Sequence, residues 1–338
     1  AIIALVIFAV LSIRGISVAG KLQTVLALSL VACVFLLAIA AFFSPNFSAS
    51  NLNPSFSLNA EGKSSLGGIL AVVAVAPWAF VGFDSIPQAS EEFNFSHKKS
   101  RVIMILSILF GGALYIILNT ITAAVLPDGY TSWVPYIVDC AKDTLPESLS
   151  GMTALPTFNA ARLILGTPGL VILGIALFCA VLSGIVGFYM ATSRLLYSMS
   201  KDHVLPGWFG RLHPHYKTPM NAIIFIMIIS LFCPWFGRTV LNWIVDMSSI
   251  GAAIGYCFTS AAAFVQMQRN KDASVPMKVN AILGVLFSLC FIALLIVPNR
   301  WAYLGPQSRI ALVVWVVMGA VFYIYSRRKK ASEKSLNA

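Results

Sequence analysis

One acidic side chain stands out by its setting. Asp84 lies inside the apolar run LGGILAVVAVAPWAFVGFDSIPQASEEF at positions 66–93. An ionisable group deep in an apolar span is expensive, and by default it marks an ion path, a proton relay or a binding site. The rival reading is local: a carboxylate also accepts free N–H groups at the start of a helix. The two roles are compatible. Around Asp84 the run is punctuated by Pro77, which removes a backbone donor, by Gly82, which tolerates unusual dihedrals, and by Pro87. Between them lies Trp78-Ala79-Phe80-Val81-Gly82-Phe83-Asp84. A helix interrupted there exposes carbonyls from one half and N–H groups from the other. Such freed groups persist at membrane depth only when buried in protein or lining a cavity, and broken helices of this kind build the midplane sites of many secondary transporters. Ser85-Ile86-Pro87-Gln88 reads as a capping box that starts the inner half, with Ser85 as N-cap and Gln88 at its third position. Glu91 and Glu92 lie near Lys98, Lys99 and Arg101, where ion pairing at a cytoplasmic mouth is the expected role.

The remaining reactive residue types point away from catalysis. Cys33, Cys179, Cys233, Cys257 and Cys290 fall inside apolar runs and read as small buried hydrophobes. Cys140 alone sits in a loop outside them, so no disulfide framework is expected. His97, His203, His213 and His215 all lie beside Lys or Arg in loops, and no metal site is expected. No His or Lys lies inside a span, which counts against a membrane enzyme.

These residues must be positioned by membrane helices. Hydrophobic residues make up 59% of the 338 and charged residues only 10%, against roughly 25% charged in soluble domains. The net charge of +11 does not indicate nucleic-acid binding, because the basic residues form short clusters between apolar runs. A spanning helix needs about 20 apolar residues. Eight candidates meet this, at 22–43, 66–93, 102–126, 166–193, 219–236, 239–265, 279–298 and 308–325. A ninth run, 1–13, is too short to cross and reads as the tail of a helix that begins earlier. Of the 23 Lys and Arg, 17 fall on one side of this topology and 6 on the other. The rule that cytoplasmic loops carry the excess makes the protein multi-pass in the cytoplasmic membrane. The Arg327-Arg328-Lys329-Lys330 run and the C-terminus are then inside. The segment 44–65, rich in Asn and Ser, is expected to be a mobile external loop. The segment 127–165 is the longest external loop, and 201–218 the longest internal one.

The sequence resembles the amino acid–polyamine–organocation (APC) superfamily of permeases. Phe80-Val81-Gly82-Phe83-Asp84, followed by Ser90-Glu91-Glu92-Phe93 and the basic cluster to Arg101, looks like that family's sixth helix. Ser193-Arg194-Leu195-Leu196-Tyr197 through Asp202-His203-Val204-Leu205-Pro206, then His213-Pro214 and Lys217-Thr218-Pro219, looks like its eighth helix and the loop after it, with His203 where Gly is usual. Ile13-Arg14-Gly15 with Gly20-Lys21-Leu22-Gln23 resembles the loop before its fifth helix.

The resemblance implies an all-α, LeuT-like inverted-repeat transporter, partial here, running from the end of helix four through helix twelve. It implies an incomplete first repeat, a second repeat over about 66–265, two extra helices over 266–326 and a cytoplasmic tail at 327–338. The implied function is secondary active transport of amino acids or related amines. The rivals are a non-coupled channel or an amino-acid sensor on the same scaffold. The implied substrate-binding residues are Trp78, Phe80, Val81, Gly82, Phe83 and Phe188: Trp78 as an aromatic gate, the carbonyls of Trp78 and Val81 for a substrate amino group, and Phe188 as an aromatic near substrate. Asp84 is the implied coupling or gating acid. No cofactor is implied beyond a coupling ion, H+ or Na+. The lysine that some proton-coupled relatives carry in the fifth helix is missing near Ser29 and Leu30, and Ser183 is a candidate for a sodium site. With half of the implied site outside it, the chain alone is not expected to transport. The implied partners are the amino acid or amine substrate and the lipid bilayer, with no nucleic acid.

Overall fold

The computed structural model describes residues 2–14, 16–55, 66–88, 96–142, 144–237, 239–269, 274–298 and 302–336, and these are helices joined by loops, with no strand among them. The α-helices are α1 Ile2–Arg14, α2 Ile16–Phe42, α3 Leu66–Phe80, α4 Ser85–Gln88, α5 His97–Ala124, α6 Trp133–Lys142, α7 Pro156–Leu165, α8 Thr167–Lys201, α9 Met220–Phe232, α10 Thr239–Arg269, α11 Val275–Ile296 and α12 Pro306–Leu336. Among the described residues six are long and apolar enough to cross a membrane: Gly20–Phe42, Lys99–Ala124, Thr167–Lys201, Val240–Arg269, Val275–Ile296 and Pro306–Ser326. Two expected spans take other forms. The run at 219–236 is the 13-residue α9 followed by a 3-10 turn, Cys233–Phe236. Pro234 cannot donate to a continuing α-ladder, and Gly237 closes the turn at φ 62°. The run at 66–93 is broken, as described below.

The chain divides into two compact units. The first comprises residues 1–64, 82–198 and 208–229. One core within it joins Phe8 and Ala9 of α1 to Val186 and Tyr189 of α8 and Ile223 of α9. A second joins Leu37 of α2 to Phe158 and Ala161 of α7 and Leu173 and Ala176 of α8. Within a bilayer such packing is driven by close fit and dispersion rather than by escape from water. The corner between α7 and α8 depends on two glycines. Gly166 adopts φ 65° and its N–H donates to the Arg162 carbonyl at 2.7 Å. At Gly169 a Cβ would collide with the carbonyl of Ala161, so the first turn of α8 lies directly on α7.

The described part of the expected mobile loop is instead pinned, which corrects that expectation. Asn46 Nδ2 donates to the Leu163 carbonyl at 2.6 Å, and Asn51 Nδ2 donates to the Ala124 carbonyl at 2.8 Å. Trp133 Nε1 donates to the Pro54 carbonyl at 2.8 Å. Asparagine amides satisfy helix-end carbonyls that lack intrahelical partners. The long loop after α5 is equally ordered. Tyr130 donates to the Asp139 carboxylate at 2.8 Å, and Tyr136 is buried. Burial pushes the Tyr136 hydroxyl up to about 12. Burial, and then the neighbouring Asp139 charge, also raises the Cys140 thiol.

The second unit comprises residues 65–81, 199–207 and 230–338. In it α10 packs along α11 and against α3. Gly284 of α11 leaves room for Ser260 of α10, whose Oγ would lie 2.5 Å from an added Cβ. Small residues at such crossings let helix backbones approach closely. Ala74 of α3 shares a core with Ile250, Leu295 and Leu304, which anchors the first half of the broken span. In the motif after α8, His203 takes φ 59°, at the position where the resemblance implies Gly. The backbone there is left-handed, a conformation that glycine adopts without penalty. The Ser326 hydroxyl of α12 reaches the carbonyls of His203 at 2.7 Å and Leu205 at 3.2 Å.

A broken helix as the candidate functional site

The helix α3 runs through Pro77 and ends three residues later at Phe80. The break occupies Val81–Asp84, and α4 follows at Ser85. Proline lacks only its own donor, so it does not by itself end the helix; the turn is made by Gly82 at φ 133°. A Cβ at Gly82 would meet nothing within 4 Å, so backbone conformation, not space, requires glycine there. Short i to i+3 bonds flank the break: the N–H of Val81 donates to the Trp78 carbonyl at 3.2 Å, and that of Ser85 to the Gly82 carbonyl at 3.1 Å.

Asp84 closes this turn on itself. Its Oδ1 accepts the N–H of Gly82 at 2.8 Å. The donor lies upstream, in the break, rather than in the first turn of α4. The capping box read from Ser85 and Gln88 does not form. The Ser85 hydroxyl donates to the Gly82 carbonyl at 2.5 Å instead of accepting an N–H, and among the described residues the buried Gln88 Oε1 has no partner. The reason is geometric: Ser85 already stands inside α4, one position too far along to cap it.

Among the described residues the Val81 carbonyl accepts no hydrogen bond, whereas that of Trp78 already accepts one. An open carbonyl is an acceptor for an ammonium or a cation. Trp78 is 45% exposed, Phe80, Val81, Phe83 and Asp84 are half-buried, and Gly82 is exposed. These residues are brought together by chain continuity across the break. On α8, Ser183 is half-buried and Phe188 is 52% exposed. Five residues apart, they point about 140° from one another around the helix, so they do not share a face. Ser183 instead shares a face with Gly187, where an added Cβ would lie 3.1 Å from Gln23 Nε2 of α2. Glu91 and Glu92 lie outside the described residues.

Two polar side chains within spans escaped the sequence reading as site candidates. Gln23 was read only as part of a motif. Asp246 stands in α10, and its Oδ2 accepts the Ser308 hydroxyl at 2.6 Å and the Gly305 N–H at 3.4 Å. The signal was present, since Asp246 is an acid within the apolar run 239–265.

A family model described as amino acid permease matches residues 1–323. An uncharacterized transporter of Rhizobium meliloti is 30% identical over 269 residues, which cover 79% of this chain and 53% of that protein. The branched-chain amino acid permease BcaP of Bacillus subtilis is 26% identical, over 78% of this chain and 51% of that protein. The low-affinity putrescine importer PlaP of Escherichia coli K12 is 22% identical, over 72% of this chain and 49% of that protein. The chain therefore spans about half the length of these three curated relatives. Their names are those of permeases and transporters, not enzymes. On a match that runs from the first residue to within α12, the chain belongs to the amino acid permease family, and its all-α fold is the LeuT-like membrane fold of that family.

Proposed function

We propose that this protein is a secondary active transporter moving an amino acid or related amine across the cytoplasmic membrane, with substrate held at the break between α3 and α4. The observation that carries the reading is the Val81–Asp84 turn, with its left-handed Gly82 and open Val81 carbonyl. A primary ammonium matches an open carbonyl, and an exposed indole such as Trp78 offers a cation–π face to the same group. Relatives named for a branched-chain amino acid and for putrescine support this substrate class. Phe80, Val81, Gly82 and Phe83 form the rest of the contact segment, and Phe188 supplies an aromatic from α8. Asp84 is the coupling or gating acid. Among the described residues it holds a single local bond, which a proton or a substrate can exchange without unpacking a core. Ser183 is the candidate for a sodium site if the coupling ion is Na+. On this reading the second repeat spans about 66–265, and the excess of Lys and Arg supports a cytoplasmic C-terminus.

The test is an uptake panel of radiolabelled amino acids and polyamines with the full-length protein in liposomes, at varied pH and sodium. Concentrative uptake that collapses with one ion gradient is the expected result, and it names the ion. Ion currents beyond transporter rates would indicate a channel. Saturable binding without uptake would indicate a sensor.

A further inference from the structure

We propose that the face shared by α10 and α12 binds a phospholipid with a primary-ammonium headgroup. The ammonium sits on Asp246, the phosphate on Arg309, and an acyl chain in the groove beneath. Three observations meet there.

Both donors to Asp246, from Ser308 and Gly305, reach Oδ2; among the described residues Oδ1 accepts no hydrogen bond. A carboxylate offers about four acceptor sites, and the described residues use two of them, which leaves room for a further donor. Next to Ser308 in sequence, Arg309 is exposed. Tyr303 steadies it, with the hydroxyl 2.6 Å from Nη1 and the ring 4.7 Å from the guanidinium carbon. A neutral tyrosine orients the guanidinium without cancelling its charge, and the remaining N–H groups stay available to an anion.

The third observation is a groove of about 290 Å³ lined by Ile244, Met247, Ile250, Gly251, Leu312 and Trp315. Ile250 follows Asp246 by one turn of α10, and Leu312 follows Ser308 by one turn of α12. The acid and the base therefore flank an apolar slot whose lining lies on the same two helices. Both helices are long and apolar enough to cross a membrane, so the slot opens to hydrocarbon and its natural occupant is a lipid tail. Opposite charges at its mouth fit a zwitterion. The open carboxylate oxygen needs an N–H donor, which an ethanolamine headgroup has and a choline headgroup lacks.

The experiment is native mass spectrometry of the full-length protein from an equimolar mixture of phosphatidylethanolamine, phosphatidylcholine and phosphatidylglycerol. The wild type should retain phosphatidylethanolamine over phosphatidylcholine by about tenfold, the worth of one charge-assisted hydrogen bond. Asp246→Asn keeps an oxygen for Ser308 and Gly305 but loses the charge, and should bring the two lipids level. Arg309→Gln should weaken retention of all three. Gly251→Leu should do the same by filling the groove, since a Cβ there meets nothing within 4 Å and the fold should accommodate it. Brominated acyl chains should quench the fluorescence that Trp315→Phe removes. Equal retention of the two zwitterionic lipids by the wild type would overturn the proposal. So would an unchanged preference in a folded Asp246→Asn, or full retention in Gly251→Leu.

Discussion

Asp84 and Asp246 both stand within apolar stretches, and they bond over very different ranges. Asp84 accepts an N–H two residues away, inside a turn of its own making. Asp246 accepts donors 59 and 62 residues away and ties the start of α12 to α10. A local bond can open while the cores of both units stay packed. A long-range bond cannot, because Ser308 is fully buried and would be left with an unanswered hydroxyl. On the proposed transport function, the carboxylate suited to exchanging partners is therefore the one on the broken helix, and the one on the intact helix is a fastener.

The sharpest way to break this contrast is Asp246→Ala. It removes two bonds to a charged acceptor and should cost about 3 kcal/mol of stability, read as a lowered Tm in detergent. A Tm within error of the wild type would show that α10 and α12 do not depend on the acid. Next in size is Gly82→Ala. The residue sits at φ 133° with open space around it, so the cost is conformational, about 1–3 kcal/mol. It should weaken substrate affinity more than it lowers Tm, and equilibrium binding beside a melting curve separates the two. A gain is expected from His203→Gly, because a non-glycine residue in the left-handed region costs about 1–2 kcal/mol; unfolding in denaturant would read it. The smallest effect on stability belongs to Asp84→Asn, since Asn offers the same oxygen to Gly82. Its Tm should stay put while the initial rate of uptake falls. Wild-type uptake in this variant would reduce Asp84 to a turn-former.

Much of this was legible in residue order. The apolar runs mark the helices because a bilayer leaves the backbone few alternatives. Gly82 between two prolines marks the break, because the turn needs a dihedral that only glycine takes easily. The details that failed were matters of one residue or of distant partners. Ser85 differs from an N-cap by a single position, which no spacing rule resolves. The Asn-rich segment reads as loose because its composition is polar, but its order comes from the carbonyls of Ala124 and Leu163, far along the chain. Asp246 is hard to read from sequence because its partners, Gly305 and Ser308, lie at the start of a helix about 60 residues further along the chain. Ser183 and Phe188 look like neighbours in sequence, and helical pitch turns them apart.

Gly169 carries a consequence for heredity. Every single-base change in a glycine codon that alters the residue brings in a side chain with a Cβ or a stop. At this corner no such atom fits beside the Ala161 carbonyl. The position thus has no neighbouring genotype that keeps the α7–α8 corner, and a saturation library selected for folded protein should return glycine there and little else. When distant homologues are lined up, that column should serve as an anchor for registering α8.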